Sequence, residues 1–265
     1  MLFLLPLAPF LMPRILPAPM TLLAIIGIGL LFMVLNFASY QLLTVAPVAL
    51  VWPLLASNSA LVSGLAVIFL GERPHLSQAI GLGLVLIGVL ATTYVRSQVY
   101  EPAVGVAFFA GEPGRSRADL VPMRASARTL LLAVVIAVLS GIGLFFLIIQ
   151  IKHYGWYLPF AVERASQTTL ALGMLAAGFP PRRDFKAHSL NWWAVLPLIG
   201  VFDGIGIASY GLGNQFGSTS ITAMSSAAFV VVPVLLGVLL IGERPARTQW
   251  LGIVGVVLGL ILIAV

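Results

Sequence analysis

No cysteine occurs in the 265 residues, which excludes disulfides, thiolate metal ligands and a cysteine nucleophile. Charge is almost as scarce. Asp, Glu, Lys and Arg together make 8% of the chain, against roughly 25% in soluble domains. Hydrophobic residues make 60%, and the mean hydropathy is +1.10. Such a chain cannot cover itself with a water-facing surface, so soluble enzymes, nucleic-acid binders and disordered tails are excluded and a bilayer is its solvent. The net charge of +6 rests on 14 Lys and Arg that sit mostly in loops, where they bear on membrane orientation and not on nucleic acid. His75, His153 and His188 show no ligand spacing, and no acid pair or cluster suggests a metal or an enzyme. No cofactor is expected.

What the chain does have is apolar runs of spanning length, about 20 residues each. Met1 to Pro13 makes only half a span, broken by Pro6, Pro9 and Pro13, and lacks the basic start and cleavage site of a signal peptide. Full runs follow at Met20 to Leu43, Pro47 to Leu70, Leu76 to Tyr94, Thr129 to Ile151, Trp156 to Phe179, Asn191 to Phe216, Ser218 to Ile241 and Thr248 to Val265. The expected fold is all-α: a polytopic membrane helix bundle of eight full spans and one partial N-terminal span. The one long connection, between Arg96 and Arg128, carries three acids, five arginines counting both ends, and Pro102, Pro113 and Pro122. It divides residues 1–96 from 129–265 with a linker at 97–128.

The two parts repeat each other. Gly71-Glu72-Arg73-Pro74, Gln78, Gly81 and Gly88 recur as Gly242-Glu243-Arg244-Pro245, Gln249, Gly252 and Gly259, all at an offset of 171. Upstream, Ala38-Ser39-Tyr40 recurs as Ala208-Ser209-Tyr210 at an offset of 170. Five crossings separate the two Gly-Glu-Arg-Pro turns. An odd number puts them on opposite faces, so the repeats have inverted topology, the arrangement of many secondary transporters with the solute site at the repeat interface.

The doubled Gly-Glu-Arg-Pro turn, each followed by a glycine-spaced helix, resembles the EamA-type permeases of the drug/metabolite transporter superfamily. That resemblance covers nearly the whole chain. It implies ten helices in two five-helix inverted repeats, and transport of small metabolites, amino acids or drugs, often by exchange or proton coupling. By the same pattern the first helix and part of the second are missing here, which implies either a start upstream of Met1 or a natural short form.

Several motifs have plain structural readings. Gly71 and Gly242 end helices in the left-handed conformation, Pro74 and Pro245 suit the next helix's first turn, and Glu72 and Glu243 sit beside that helix's positive dipole end. Gly255 with Gly259, and Ala79 with Gly83, permit close helix approach, inside the bundle or in a homodimer. Pro53 and Pro233 lie within spans and kink them.

Ionisable groups at membrane depth are expensive and point to function. Asp203 lies about 18 Å into its span at 1.5 Å per residue. Glu163 and Arg164 lie about 11 Å into the preceding span from the opposite face, so all three reach a common layer. Either Arg164 and Asp203 form a structural ion pair, or Asp203 or Glu163 couples protons or engages solute. The resemblance adds that the second repeat often carries an arginine at this place. Asn36 and Tyr40, Asp203 with Tyr210 and Asn214, and Ser218, Thr222, Ser225 and Phe229 fall on helical stripes. The expected solute-binding set is Asn36, Tyr40, Trp52, Asn58, Glu163, Arg164, Gln167, Asp203, Tyr210, Asn214 and Ser225, with Tyr40, Trp52 and Tyr210 as aromatic walls. Small hydroxyls also bond back to helix carbonyls, which leaves a structural reading open for the serines.

Ten Lys and Arg lie in loops on the linker side against three on the other, which predicts a cytoplasmic linker and an outside C-terminus in the plasma or inner membrane. The resemblance implies the reverse. The expected partners are a small-molecule solute and the lipid bilayer, with no nucleic acid. The expected function is secondary transport by alternating access. The alternative is a non-transporting membrane subunit that keeps the repeats as scaffold.

Overall fold

A computed structural model describes residues 17–45, 55–93, 127–178, 192–232 and 247–264. The partial span at Met1 to Pro13, Trp52, Pro53, His188, Pro233, the second Gly-Glu-Arg-Pro turn and most of the linker lie outside the described residues. Within them, all regular structure is helical. The helices are α1 Pro19–Val45, α2 Asn58–Phe69, α3 Leu76–Thr93, α4 Ala127–Tyr154, α5 Tyr157–Ala176, α6 Trp192–Phe216, α7 Thr219–Ala227 with a 3-10 turn at Ala228–Val230, and α8 Arg247–Ala264. Helix is the form in which an apolar segment satisfies its own backbone without water. Many large apolar side chains face outward, among them Val34, Phe69, Leu76, Phe146, Phe202 and Leu251. In a bilayer these are the lipid-facing surface.

The residues form two compact units, Met1–Asn36 with Gly143–Gly217, and Phe37–Ile142 with Ser218–Val265. Each unit draws on segments from before and after the long connection, and α1 and α4 each contribute a segment to both.

In the first unit, α5 is held by close approaches on two sides. A Cβ at Gly29 of α1 would strike the Ser166 hydroxyl and lie 2.7 Å from the Glu163 carbonyl oxygen. A Cβ at Gly211 of α6 would lie 2.7 Å from the Trp156 Cβ. Gly155 turns the chain from α4 into α5 at φ +79°, a left-handed value that a side chain resists. The Trp156 amide just after it donates to Gln215 Oε1 at 3.0 Å, fixing the end of α6 to that turn. Gln215→Ala is expected to lower stability by about 1 kcal/mol, the usual worth of one hydrogen bond, as read by thermal unfolding in detergent.

The second unit centres on the crossing of α3 and α8. Val85, Met224, Ala227, Ile253, Val256 and Ile263 are buried together there. A Cβ at Gly81 would lie 2.6 Å from the Gly259 carbonyl oxygen, and one at Gly88 would lie 2.7 Å from the Gly252 carbonyl oxygen. These contacts require the two helices to run antiparallel. They also exchange places under the repeat, because the offset of 171 carries Gly81 onto Gly252 and Gly88 onto Gly259. Gly255 and Gly259 are thus spent on packing within the chain, whereas Gly83 faces open space.

Glu72 makes a contact that the sequence does not announce. The helix that follows it, α3, begins with the His75 amide donating to Gln78 Oε1 at 3.0 Å, half of a capping box. Glu72 reaches the start of α7, far along the chain. Its carboxylate accepts from the Thr219 amide at 2.7 Å, the Ser220 amide at 2.8 Å and the Ser218 hydroxyl at 2.6 Å. Ser218 has the extended backbone of an N-cap but makes no side-chain cap, so Glu72 fills that role from a distant part of the chain.

Partial burial pushes the Glu72 carboxyl upward, but the hydrogen bonds from Ser218, Ser220 and Thr219 outweigh it and bring it from 4.5 down to about 2. A lowered carboxyl means that the unfolded chain takes up the proton first, so acidification favours unfolding. The stabilisation is present above about pH 4.5 and disappears as pH falls towards 2. Glu72→Ala is expected to cost about 1–2 kcal/mol at pH 7, at the modest end because the group is partly exposed. Thermal unfolding at stepped pH should bring variant and parent together in acid.

Candidate functional site

The polar groups of the first unit gather where α5 and α6 pass each other. The hairpin is antiparallel: Gly211 lies against Trp156 and Phe160, and eight residues earlier Asp203 faces Arg164. The α6 sequence is apolar around this point, and Asp203 is mid-helix, eleven residues after Trp192 and thirteen before Phe216. Arg164 stands between two acids. Its Nε is 3.5 Å from Glu163 Oε2, and its Nη2 is 3.7 Å from Asp203 Oδ2.

Gln167 completes the group. One turn along α5, its Nε2 donates to Glu163 Oε1 and its Oε1 accepts from Arg164 Nη1 at 3.2 Å. The spacings of three and four residues put all three side chains on one helical face. Ser166 sits beneath them, donating to the Glu163 carbonyl at 2.8 Å and the Val162 carbonyl at 2.9 Å against the Gly29 surface of α1. Glu163 is 3% exposed, yet its Oε2 makes no hydrogen bond among the described residues. The Asp203 side chain is 57% exposed.

Further along α6, Asn214 is fully buried; its Nδ2 donates to the Tyr210 carbonyl at 2.9 Å and its Oδ1 has no hydrogen-bond partner among the described residues. The structure therefore brings Glu163, Arg164, Gln167 and Asp203 into contact and places Tyr210 and Asn214 on the same hairpin. Asn36 and Tyr40 are exposed on α1, one turn apart. In the second unit, Asn58 at the start of α2 accepts from the Ser59 hydroxyl at 3.3 Å, and Ser225 is half-buried on α7. Trp52 lies outside the described residues. Among the described residues no group of His, Cys, Asp or Glu could hold a metal.

Sequence reasoning missed Ser166 and the contact between Glu72 and Ser218. A serine three residues after Glu163 was the available sign of the first. For the second, the local sequence holds none.

Comparison with known proteins adds to these observations. The model of the EamA-like transporter family matches residues 1–94 and 127–265, which leaves out the long connection. No curated protein matches the chain. Among solved structures, one described only as a crystal structure of a protein is similar over 94% of this chain and 76% of its own, with a TM-score of 0.62 and 18% identity. At that identity the likeness concerns the fold.

Proposed function

Because that match spans most of its length, the chain belongs to the EamA-like transporter family, and on that premise we propose that it moves a small organic metabolite or drug-like solute by alternating access, coupled to protons or run as exchange. Members of the family are membrane transporters and not enzymes, and this chain is a membrane protein of that type. In our reading residues 1–96 and 129–265 are repeats of inverted topology, joined by the linker at 97–128, with eight full spans and one partial span. The antiparallel, mutually exchanged glycine contacts of α3 and α8 support that reading. We place the protein in the plasma or inner membrane with the linker in the cytoplasm, on the charge count. A reporter active only in the cytoplasm, fused after Val265, should then be silent.

The observation that carries the transport reading is an arginine shared by two carboxylates midway along the α5 and α6 hairpin. A structural role would be met by one pair; a second acid, buried and without a hydrogen bond on one oxygen, leaves capacity for a proton or solute. Asp203 and Glu163 are the proton-coupling groups in this reading. In this reading Arg164, Gln167, Tyr210, Asn214 and Asn36, all of the first unit, are further solute-binding groups, with Tyr40, Asn58, Trp52 and Ser225 as solute-binding candidates elsewhere in the chain. Reconstituted vesicles test it: solute flux driven by a pH step should fall sharply in Asp203→Asn and in Glu163→Gln. Unchanged flux and unchanged pH dependence in both variants would refute coupling through this cluster.

A further inference from the structure

We infer that the cluster of Glu163, Arg164 and Asp203 takes a single positive charge, the ammonium of a small amine-bearing solute or a proton in its place. The inference rests on the transport reading above and adds the chemical class of the solute.

Two carboxylates face one guanidinium, and Gln167 is neutral, so with both acids ionised the cluster holds one negative charge in excess. Among the described residues of the unit, the other basic side chains are Lys152 and His153. The α1 segment packed on Glu163 through Gly29 has no ionisable side chain from Pro19 to Asn36. From α6 come Asp203 itself and the phenol of Tyr210. Lys152 and His153 stand at the end of α4, and the Lys152 ammonium is engaged with the Gly217 carbonyl, fourteen residues along from Asp203 or about 21 Å of helix. An uncompensated negative charge at apolar depth must attract a cation or a proton.

The geometry says where the charge would sit. Gln167 spends both ends of its amide, closing one side of Glu163 and of Arg164. Arg164 is stretched between the acids at 3.5 and 3.7 Å, longer than good charge-assisted hydrogen bonds, so it satisfies neither fully. Glu163 Oε2 is buried without a hydrogen bond among the described residues, and the Asp203 carboxylate is 57% exposed with the Arg164 guanidinium no nearer than 3.7 Å. A primary ammonium carries three donors and no acceptor, which suits acceptors left open in this way. A carboxylate or phosphate solute would instead meet two like charges beside an arginine already engaged. A neutral solute would leave the excess charge in place.

The assignment predicts competition between solute and proton. Purified protein in lipid nanodiscs is titrated calorimetrically with phenethylamine and with the anionic analogue 3-phenylpropionate, in two buffers of different ionisation enthalpy. The amine should bind and the anion should not. At a pH where the cluster is protonated, binding should release about one proton per amine, the number set by linkage. Asp203→Asn should abolish that release and weaken amine binding by about tenfold or more, as loss of a charge partner does. Asp203→Glu, which keeps the charge, should retain both and reports that the fold survives change at this position.

Anion binding equal to amine binding, amine binding untouched by Asp203→Asn, or no amine binding at all would overturn the cation assignment. If the cation assignment fails while vesicles still carry some other solute, the transport reading stands alone. If vesicles carry nothing, the transport reading is the one that fails.

Discussion

Gly88→Ala is expected to destabilise the protein by about 1–3 kcal/mol, the cost of forcing one methyl into a packed interface, and Gly88→Leu to prevent assembly of α3 with α8. The obstruction is backbone. The added Cβ would lie 2.7 Å from both the Gly252 carbonyl oxygen and the Val256 nitrogen, atoms that move only if the helices separate. Gly259→Ala should behave alike, since its Cβ would lie 2.7 Å from the Gly81 carbonyl oxygen and 2.8 Å from the Val85 nitrogen. Gly83 supplies the control. It lies on the same helix with nothing within 4 Å, so Gly83→Ala should be neutral or gain up to about 1 kcal/mol of helix propensity. Unfolding in mixed micelles by a denaturing detergent reads all of them. If Gly88→Ala and Gly83→Ala unfold together, α3 and α8 do not cross at these glycines. The experiment also bears on topology, because equal sensitivity at Gly88 and Gly259 is what a crossing with exchanged partners requires.

How much of this was legible in the sequence depended on how local each signal is. Helix α1 occupies Pro19–Val45 where an apolar run was read at Met20 to Leu43, and α6 occupies Trp192–Phe216 against Asn191 to Phe216. Such runs are set by composition and broken by Gly, Pro and charge, all visible along the chain. The meeting of Arg164 with Asp203 was legible too, because depth along two successive helices is counting at 1.5 Å per residue. Glu72 was not. Its turn looks like any carboxylate before a helix, and choosing between the dipole of α3 and that of α7 needs the tertiary arrangement. Ser166 is a similar case: its hydroxyl bonds backward to α5 carbonyls, but only the bare surface of Gly29 explains why a small residue stands there. Gln167 was expected among solute-binding residues from its polarity; that its amide also bridges Glu163 and Arg164 follows from the spacings of three and four residues on one helix.

Arg164→Met is expected to have the largest effect of any single change at the candidate site. It leaves Glu163, 3% exposed, beside Asp203 with no counter-charge. Breaking a fully buried ion pair from one side costs about 3–5 kcal/mol, because the stranded charge dominates; with Arg164 35% and Asp203 57% exposed, the cost here is expected below that, at about 2–3 kcal/mol. Arg164→Met with Glu163→Gln should therefore recover much of the stability, since it removes the most buried of the stranded charges. Arg164→Lys should fold, but an ammonium on a flexible stem cannot reach both carboxylates in the way a planar guanidinium does. Thermal unfolding measures the first effect and vesicle flux the second, and together they separate two roles for the same residues. If the cluster only holds α5 to α6, the double variant regains flux along with stability. If it is the transport site, stability returns and flux does not, because the charge that the solute or proton must answer is gone. Full flux in the stabilised double variant would assign Glu163, Arg164 and Gln167 to the scaffold and require the solute path to run through other polar residues.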